Sequence, residues 1–212
     1  MKKIKNLIFD MDGTLWDCTD KAAEAYSELL LERPELMPSH YPITSTRLKA
    51  EFGKTIADIG LSLFPELEPE DSNQLVSKMC ANVNTYLAKH PGQVYPGMEE
   101  TLRKLAKTHR LFIVSNCYGG YPEVFYENTG LGHLFEDHLC PSDTGLMKGD
   151  NIRIMCERYG LEDAAYIGDT AGDEKATRQA GIAFIHAAYG FGNATAPDAV
   201  INAPEDLLTL LK

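Results

Sequence analysis

Leu7-Ile8-Phe9-Asp10-Met11-Asp12-Gly13-Thr14-Leu15 is the stretch from which the fold is read. A short apolar run ends abruptly in two acids, and Gly13 after them permits a turn at no steric cost. The pattern predicts a buried strand delivering carboxylates at its carboxyl end. In an open α/β sheet that edge is where ligands bind. Acid-rich turns also occur without any chemistry, since Asp and Gly are good turn formers. Whether later strands end in groups of matching type decides between the two.

Beyond Leu15 the chain changes character twice. From Cys18 to His90 the pattern predicts helices and no strand. Asp17 or Thr19 can cap a helix to about Arg33, with Ala22, Ala23, Tyr26, Leu29 and Leu30 on its apolar face. Prolines mark a loop from Pro34 to Pro42, and helices are predicted over Thr44 to Phe52, Lys54 to Phe64, and from Asp71 or Ser72 to about Lys89. From Pro91, strands alternate with helices. Strands are predicted over Arg110 to Val114, Leu134 to Cys140, Ala164 to Ile167, Ile182 to His186 and near Val200. Helices are predicted over Met98 to Lys107, Tyr121 to Asn128, Asn151 to Tyr159, Asp173 to Ala180 and from Pro204.

Such alternation implies crossovers and a mainly parallel sheet. The opening strand finds parallel partners only after the helical span. The expected fold is therefore a doubly wound, Rossmann-like α/β core, residues 1–16 and 91–212, with an α-helical cap domain, residues 17–90, inserted in it.

The 212 residues, 44% of them hydrophobic, suffice for a sizeable core. A formal net charge of −11 argues against a nucleic-acid partner, which needs a basic face. A small anionic substrate stays possible if a lysine or a metal reverses the charge locally. Met1-Lys2-Lys3-Ile4-Lys5-Asn6 starts like an export signal, but only Leu7-Ile8-Phe9 follow before Asp10, and no later run can span a bilayer. A cytoplasmic protein with no membrane partner is expected, as a monomer or homodimer. Cys18, Cys80, Cys117, Cys140 and Cys156 are scattered, with no Cys-x-x-Cys pair, and read as reduced thiols.

Three predicted strands end in related chemistry: Asp10 and Asp12, then Ser115 and Asn116, then Asp169 with Asp173 a turn later. Parallel strands place their carboxyl ends on one edge, so these groups should converge, and Lys148 can reach the same edge. Converging carboxylates repel without a cation, and hard oxygen ligands select Mg2+ over zinc. Carboxylate, magnesium, lysine and hydroxyl together are what phosphoryl transfer requires. Asp10 is expected to attack phosphorus as nucleophile, and Asp12 to serve as acid and base.

Asp10-Met11-Asp12-Gly13-Thr14, Val114-Ser115-Asn116, Lys148 and Gly168-Asp169-Thr170-Ala171-Gly172-Asp173 resemble, in that order, the four motifs of haloacid dehalogenase superfamily phosphatases. The resemblance runs the length of the chain and looks closest to the phosphoglycolate phosphatase-like branch, whose helical cap follows the first motif. It implies that Asp10 is nucleophile and metal ligand, that Asp12 is acid/base and lends the metal its main-chain carbonyl, and that Asp169 completes the metal site with support from Asp173. Ser115, with Asn116 beside it, and Lys148 would hold the phosphoryl group. Dehalogenase members lack the second acid, so Asp12 argues against carbon–halogen hydrolysis. Members of the β-phosphoglucomutase type usually carry Glu-Asp where this chain has Gly168-Asp169.

The expected activity is thus hydrolysis of a small phosphorylated metabolite through an aspartyl-phosphate. The alternatives are a phosphomutase on the same machinery and a non-catalytic binding protein on the same fold. Arg47, Lys49 and Lys54 can meet an anionic part of the substrate or simply form a charged helix face. The histidines read as surface or packing residues, and Cys117 as a small thiol.

Overall fold

Strand β1 (Asn6–Phe9) is buried along its whole length, as branched and aromatic side chains on a strand covered on both faces should be. The structure is a computed structural model and describes residues 4–39 and 41–212; the basic start Met1–Lys3 and His40 lie outside the described residues. After β1 come β2 (Trp16–Asp17) and then the helices α1 (Thr19–Glu32), α2 (Ser45–Lys49), α3 (Ile56–Leu63) and α4 (Pro69–Leu87). Next are β3 (Gln93–Val94), α5 (Met98–Leu105), β4 (Arg110–Val114), α6 (Tyr121–Thr129) and β5 (Asp137–Leu139). The chain finishes with α7 (Pro141–Thr144), α8 (Lys148–Tyr159), β6 (Ala164–Gly168), α9 (Ala171–Ala180), β7 (Ala183–Ala187), β8 (Ala199–Ile201) and α10 (Leu207–Leu210). Two compact units result, one of Met1–Asp17 with Val94–Lys212, the other of Cys18–Gln93.

In the helical unit, Thr44 and Thr55 cap α2 and α3, each accepting from an amide in the first turn. The cap of α1 falls on Cys18 and makes no side-chain bond, where Asp17 or Thr19 was expected. Helix α4 starts at Pro69, ahead of the expected Asp71, because proline suits the first helical position. Asn82 on α4 donates to the Ala25 carbonyl on α1 at 3.1 Å, and Tyr86 donates to Glu24 at 2.8 Å. Buried Glu51 receives Lys54 and the Ser62 hydroxyl, each at 2.8 Å, with Arg47 3.5 Å away. Arg47 and Lys54 are therefore engaged with Glu51 inside the unit.

In the α/β unit, six strands among the described residues form a parallel sheet in the order β5-β4-β1-β6-β7-β8. Period-two alternation divides the strand residues between two faces. Ile8, Phe112, Val114, Tyr166 and Phe184 pack with Ile152 and Met155 of α8 and Ala176 of α9. On the opposite face Phe9 meets Phe135 edge to face at 6.2 Å.

Two further stretches depart from what the sequence predicts. The expected strand Leu134 to Cys140 is a 3₁₀ turn, Gly132–Leu134, followed by the short β5. Cys140 then leaves the sheet because its amide is taken by the Asp143 carboxylate at 2.7 Å, which starts α7. Helix α8 begins at Lys148, three residues before the expected start.

Candidate active site

Strand β1 lies mid-sheet, with β4 on one side and β6 on the other, so the strand order runs outward from it in both directions. Such a switch point opens a crevice at the carboxyl ends of the strands. Phe9 is level with Ile113 and with Ile167, which brings Asp10, Ser115 and Asp169 to neighbouring strand ends within one or two residues of that level. The Asp10 amide donates to the Ile167 carbonyl at 2.8 Å, fixing the backbone that carries its carboxylate.

Asp10 is 1% exposed, and its carboxylate accepts from Lys148 Nζ at 2.9 Å and from the Ser115 hydroxyl. The same ammonium donates to Asp173 Oδ1 at 2.6 Å. Lys148 stands at the first position of α8, where the helix dipole disfavours a cation. The two buried carboxylates offset that local cost, which is why the helix can begin there. Lys175, the other lysine close by in sequence, is exposed.

Asp173 serves two purposes. Its Oδ2 accepts from the Thr170 amide at 3.0 Å and hydroxyl at 2.7 Å, while Thr170 Oγ1 accepts from the Asp173 amide at 3.1 Å, closing a capping box on α9. Its Oδ1 remains for Lys148. Asp169 is fully buried, and its Oδ2 accepts from the Phe191 amide at 2.7 Å. The Thr14 hydroxyl lies 3.4 Å from Asp169 Oδ1, and His186 Nε2 is 3.1 Å from the Asp169 carbonyl. Gly13 has φ +80°, and a β-carbon there would lie 2.2 Å from Asp169 Oδ2. Glycine is thus required both by the turn and by the close approach of the Asp169 carboxylate.

Asp12 is half-buried and lies on the other side of the turn, where its Oδ1 accepts from the Tyr121 hydroxyl. Asn116 follows Ser115 in the same loop and is half-buried. Cys117 donates to Cys140; that bond and burial push its thiol well up, so it is no nucleophile at neutral pH.

The site is short of positive charge. Burial pushes the Asp10 carboxyl above its ordinary range; Lys148 pulls it back and Asp173 adds repulsion. Burial, then Asp173 and Asp10, raise Asp169 to about 8. Burial opposes the charge on Lys148, but Asp10 and Asp173 outweigh it and raise that group. Asp10, Asp169 and Asp173 each offer a carboxylate oxygen within 4.8 Å of the others. One ammonium among three buried carboxylates, all hard oxygen donors, fits a hard divalent cation. The carboxylate of Asp12 is not in this group.

The structure brings together Asp10, Ser115, Lys148, Asp169 and Asp173, with Asp12 at the adjoining turn. Thr14 stands in the first motif with no role assigned from sequence, and neither Tyr121 nor His186 carries a site signal there. His186 lies one residue before the end of β7, so strand-end logic carried one strand further would find it; Tyr121 gives no periodic signal.

The sequence model of the haloacid dehalogenase-like hydrolases matches residues 7–187, a span that contains all of these groups. The chain belongs to this family. The phosphoglycolate phosphatase of Chromobacterium violaceum is 28% identical over 225 residues, covering 100% of this chain and 98% of that protein. A plasmid-borne phosphoglycolate phosphatase of Cupriavidus necator is 27% identical, covering 97% and 92%. A haloacid dehalogenase-like hydrolase from Streptococcus pneumoniae superposes with a TM-score of 0.84 over 100% of both chains at 21% identity, which speaks for the fold. Within the haloacid dehalogenase-like hydrolases the chain is a phosphatase. Among its described residues no helix is long and apolar enough to cross a membrane.

Proposed function

We propose that the chain is a magnesium-dependent phosphatase that hydrolyses a small phosphorylated metabolite through an aspartyl-phosphate on Asp10. The observation that carries this reading is the buried Asp10 carboxylate, held by Lys148 and Ser115 at the sheet's switch point within 4.8 Å of Asp169 and Asp173. Asp10 attacks phosphorus in line with the leaving oxygen, the ester P–O bond breaks, and the Asp12 proton joins the departing alkoxide. Water then attacks the aspartyl-phosphate at phosphorus and gives its proton to Asp12, freeing phosphate and Asp10. Lys148, Ser115 and Asn116 hold the phosphoryl oxygens. Asp10, Asp169 and the Asp12 carbonyl would hold the magnesium ion, with Asp173 in support; the ion supplies charge neutralisation.

Position 168 favours a phosphatase over a mutase. A β-carbon there would lie 2.6 Å from the Asp173 β-carbon, so the glutamate of the mutase pattern does not fit while Asp173 holds its place. The relatives named as phosphoglycolate phosphatases make 2-phosphoglycolate the first ester to try. Purified protein offered 2-phosphoglycolate, sugar phosphates, nucleoside monophosphates and pyrophosphate is expected to release phosphate from a small monoester, with magnesium and not without it. No release from any of them would overturn the proposal.

The raised Asp169 carboxyl gives the metal-free protein a pH dependence of known sign. Between the unfolded value of 3.8 and about 8, the folded state keeps a proton that the unfolded chain has lost. Stability therefore falls as pH rises through that window. Magnesium needs the ionised carboxylate and should restore more of the melting temperature at pH 8 than at pH 5. Thermal denaturation with and without magnesium checks this; an equal or larger gain at pH 5 would contradict it.

A further inference from the structure

We propose that Tyr121 is a positioning residue for Asp12, holding one carboxylate oxygen so that the other meets the leaving-group oxygen of the ester. The inference rests on the reading of Asp12 as the acid that protonates the leaving group.

Tyr121 opens α6, just after the loop that carries Ser115, and is only 5% exposed. Its position is fixed from several directions. Gly120 precedes it with φ +83°, Pro122 follows in the first turn, and its amide donates to the Tyr118 carbonyl at 3.2 Å. Its ring packs on Trp16 with centroids 5.5 Å apart, and Trp16 packs edge to face on Phe125 of α6 at 5.2 Å. Trp16 in turn belongs to the Asp12 turn, for its carbonyl accepts from the Gly13 amide at 3.0 Å and it bridges to Asp12. The phenol and the carboxylate it serves are thus mounted on one packed unit, and the hydroxyl donates to Asp12 Oδ1.

Asp10 and Asp12 differ accordingly in their surroundings. Asp10 is fully buried, and the bonds from a lysine and a serine favour its ionised form against the cost of that burial. Asp12 is only half-buried, and the hydroxyl that holds it belongs to a neutral phenol. A mobile carboxylate would spend much of its time out of line with the leaving oxygen, and small misplacements are costly in proton transfer. The sequence Ser115-Asn116-Cys117-Tyr118-Gly119-Gly120-Tyr121 therefore contributes twice, once through Ser115 to Asp10 and once through Tyr121 to Asp12.

Leaving-group dependence separates positioning of an acid from plain structural support. When the ester P–O bond breaks, its electrons go to the leaving oxygen; an alkoxide needs the Asp12 proton, whereas p-nitrophenolate leaves well without it. The test compares kcat/KM for p-nitrophenyl phosphate with that for the alkyl phosphate hydrolysed fastest by the parent. Tyr121→Phe keeps the ring against Trp16 and is expected to lower kcat/KM on the alkyl ester by about 10- to 100-fold, through kcat, and on the aryl ester by no more than about 3-fold.

Asp12→Asn should show the same selectivity more strongly, and adding Tyr121→Phe to it should cause no further loss on the alkyl ester. If Asp12→Asn were selective but Tyr121→Phe slowed both esters alike, or still slowed the alkyl ester in the Asp12→Asn background, the positioning role would be refuted and the acid role of Asp12 would stand. If Asp12→Asn showed no selectivity, the acid reading would fail, and this inference with it.

Discussion

Replacing Asp10 with asparagine is expected to abolish phosphate release, by about 10⁴-fold or more, while leaving the protein folded. The amide keeps the shape of the carboxylate but is too poor a nucleophile to take a phosphoryl group, and losses of this order follow removal of a nucleophile elsewhere. Folding should survive because burial is the largest influence on the Asp10 carboxyl and it opposes ionisation. Asparagine removes that unfavourable charge, and Lys148 retains Asp173 at 2.6 Å. Without magnesium, Asp10→Asn should therefore unfold at the same or a higher denaturant concentration than the parent. The parent, quenched in acid during turnover of a radiolabelled ester, should carry protein-bound label released by hydroxylamine, as an acyl phosphate is; Asp10→Asn should carry none. Equal turnover by the two proteins would remove Asp10 from the mechanism.

Such a pairing, poor stability with high reactivity, is legible in part from the opening stretch alone. Leu7-Ile8-Phe9 shows a strand buried on both faces, and the acids after it show where that strand stops. Because parallel strands share a direction, acids and hydroxyls at later strand ends are brought to the same edge without any knowledge of side-chain geometry. The convergence of Asp10, Ser115 and Asp169 follows from that rule.

What the rule cannot supply is the partner chosen by each group, since that depends on register and rotamer. Asp173 caps a helix with one oxygen and holds Lys148 with the other, a division that sequence spacing does not reveal. Lys148 lies inside a helix and not ahead of it because the buried carboxylates outweigh a local dipole preference. Tyr121 leaves no trace in periodicity, since its packing on Trp16 joins residues 105 positions apart and its bond to Asp12 joins residues 109 apart. Local propensity also fails over Leu134 to Cys140, where a side-chain acceptor, Asp143, captures a backbone amide and ends the strand early.

Lys148→Met is the substitution in which stability and catalysis should fail together. Lys148 is 3% exposed and bonds both Asp10 and Asp173, so removing the ammonium leaves two buried carboxylates facing each other with Asp169 nearby. Breaking a buried pair from one side costs about 3 to 5 kcal/mol, because the remaining charges stay desolvated. The chain has two ways to relieve this, protonating the acids or recruiting a cation. The loss should therefore be greater at pH 8 than at pH 5, and magnesium should recover more stability in the variant than in the parent. Activity should not recover with it: the ion can neutralise the carboxylates, but the donor that held the phosphoryl group to Asp10 is gone, a loss on the order of 10²- to 10³-fold in kcat. Adding Asp173→Asn removes one of the stranded charges and should return part of the stability, since groups in one network do not contribute additively. Urea unfolding of the parent and of the single and double variants, with and without magnesium at both pH values, measures each term. A Lys148→Met protein as stable as the parent in metal-free buffer at pH 8 would show that the lysine does not neutralise this cluster.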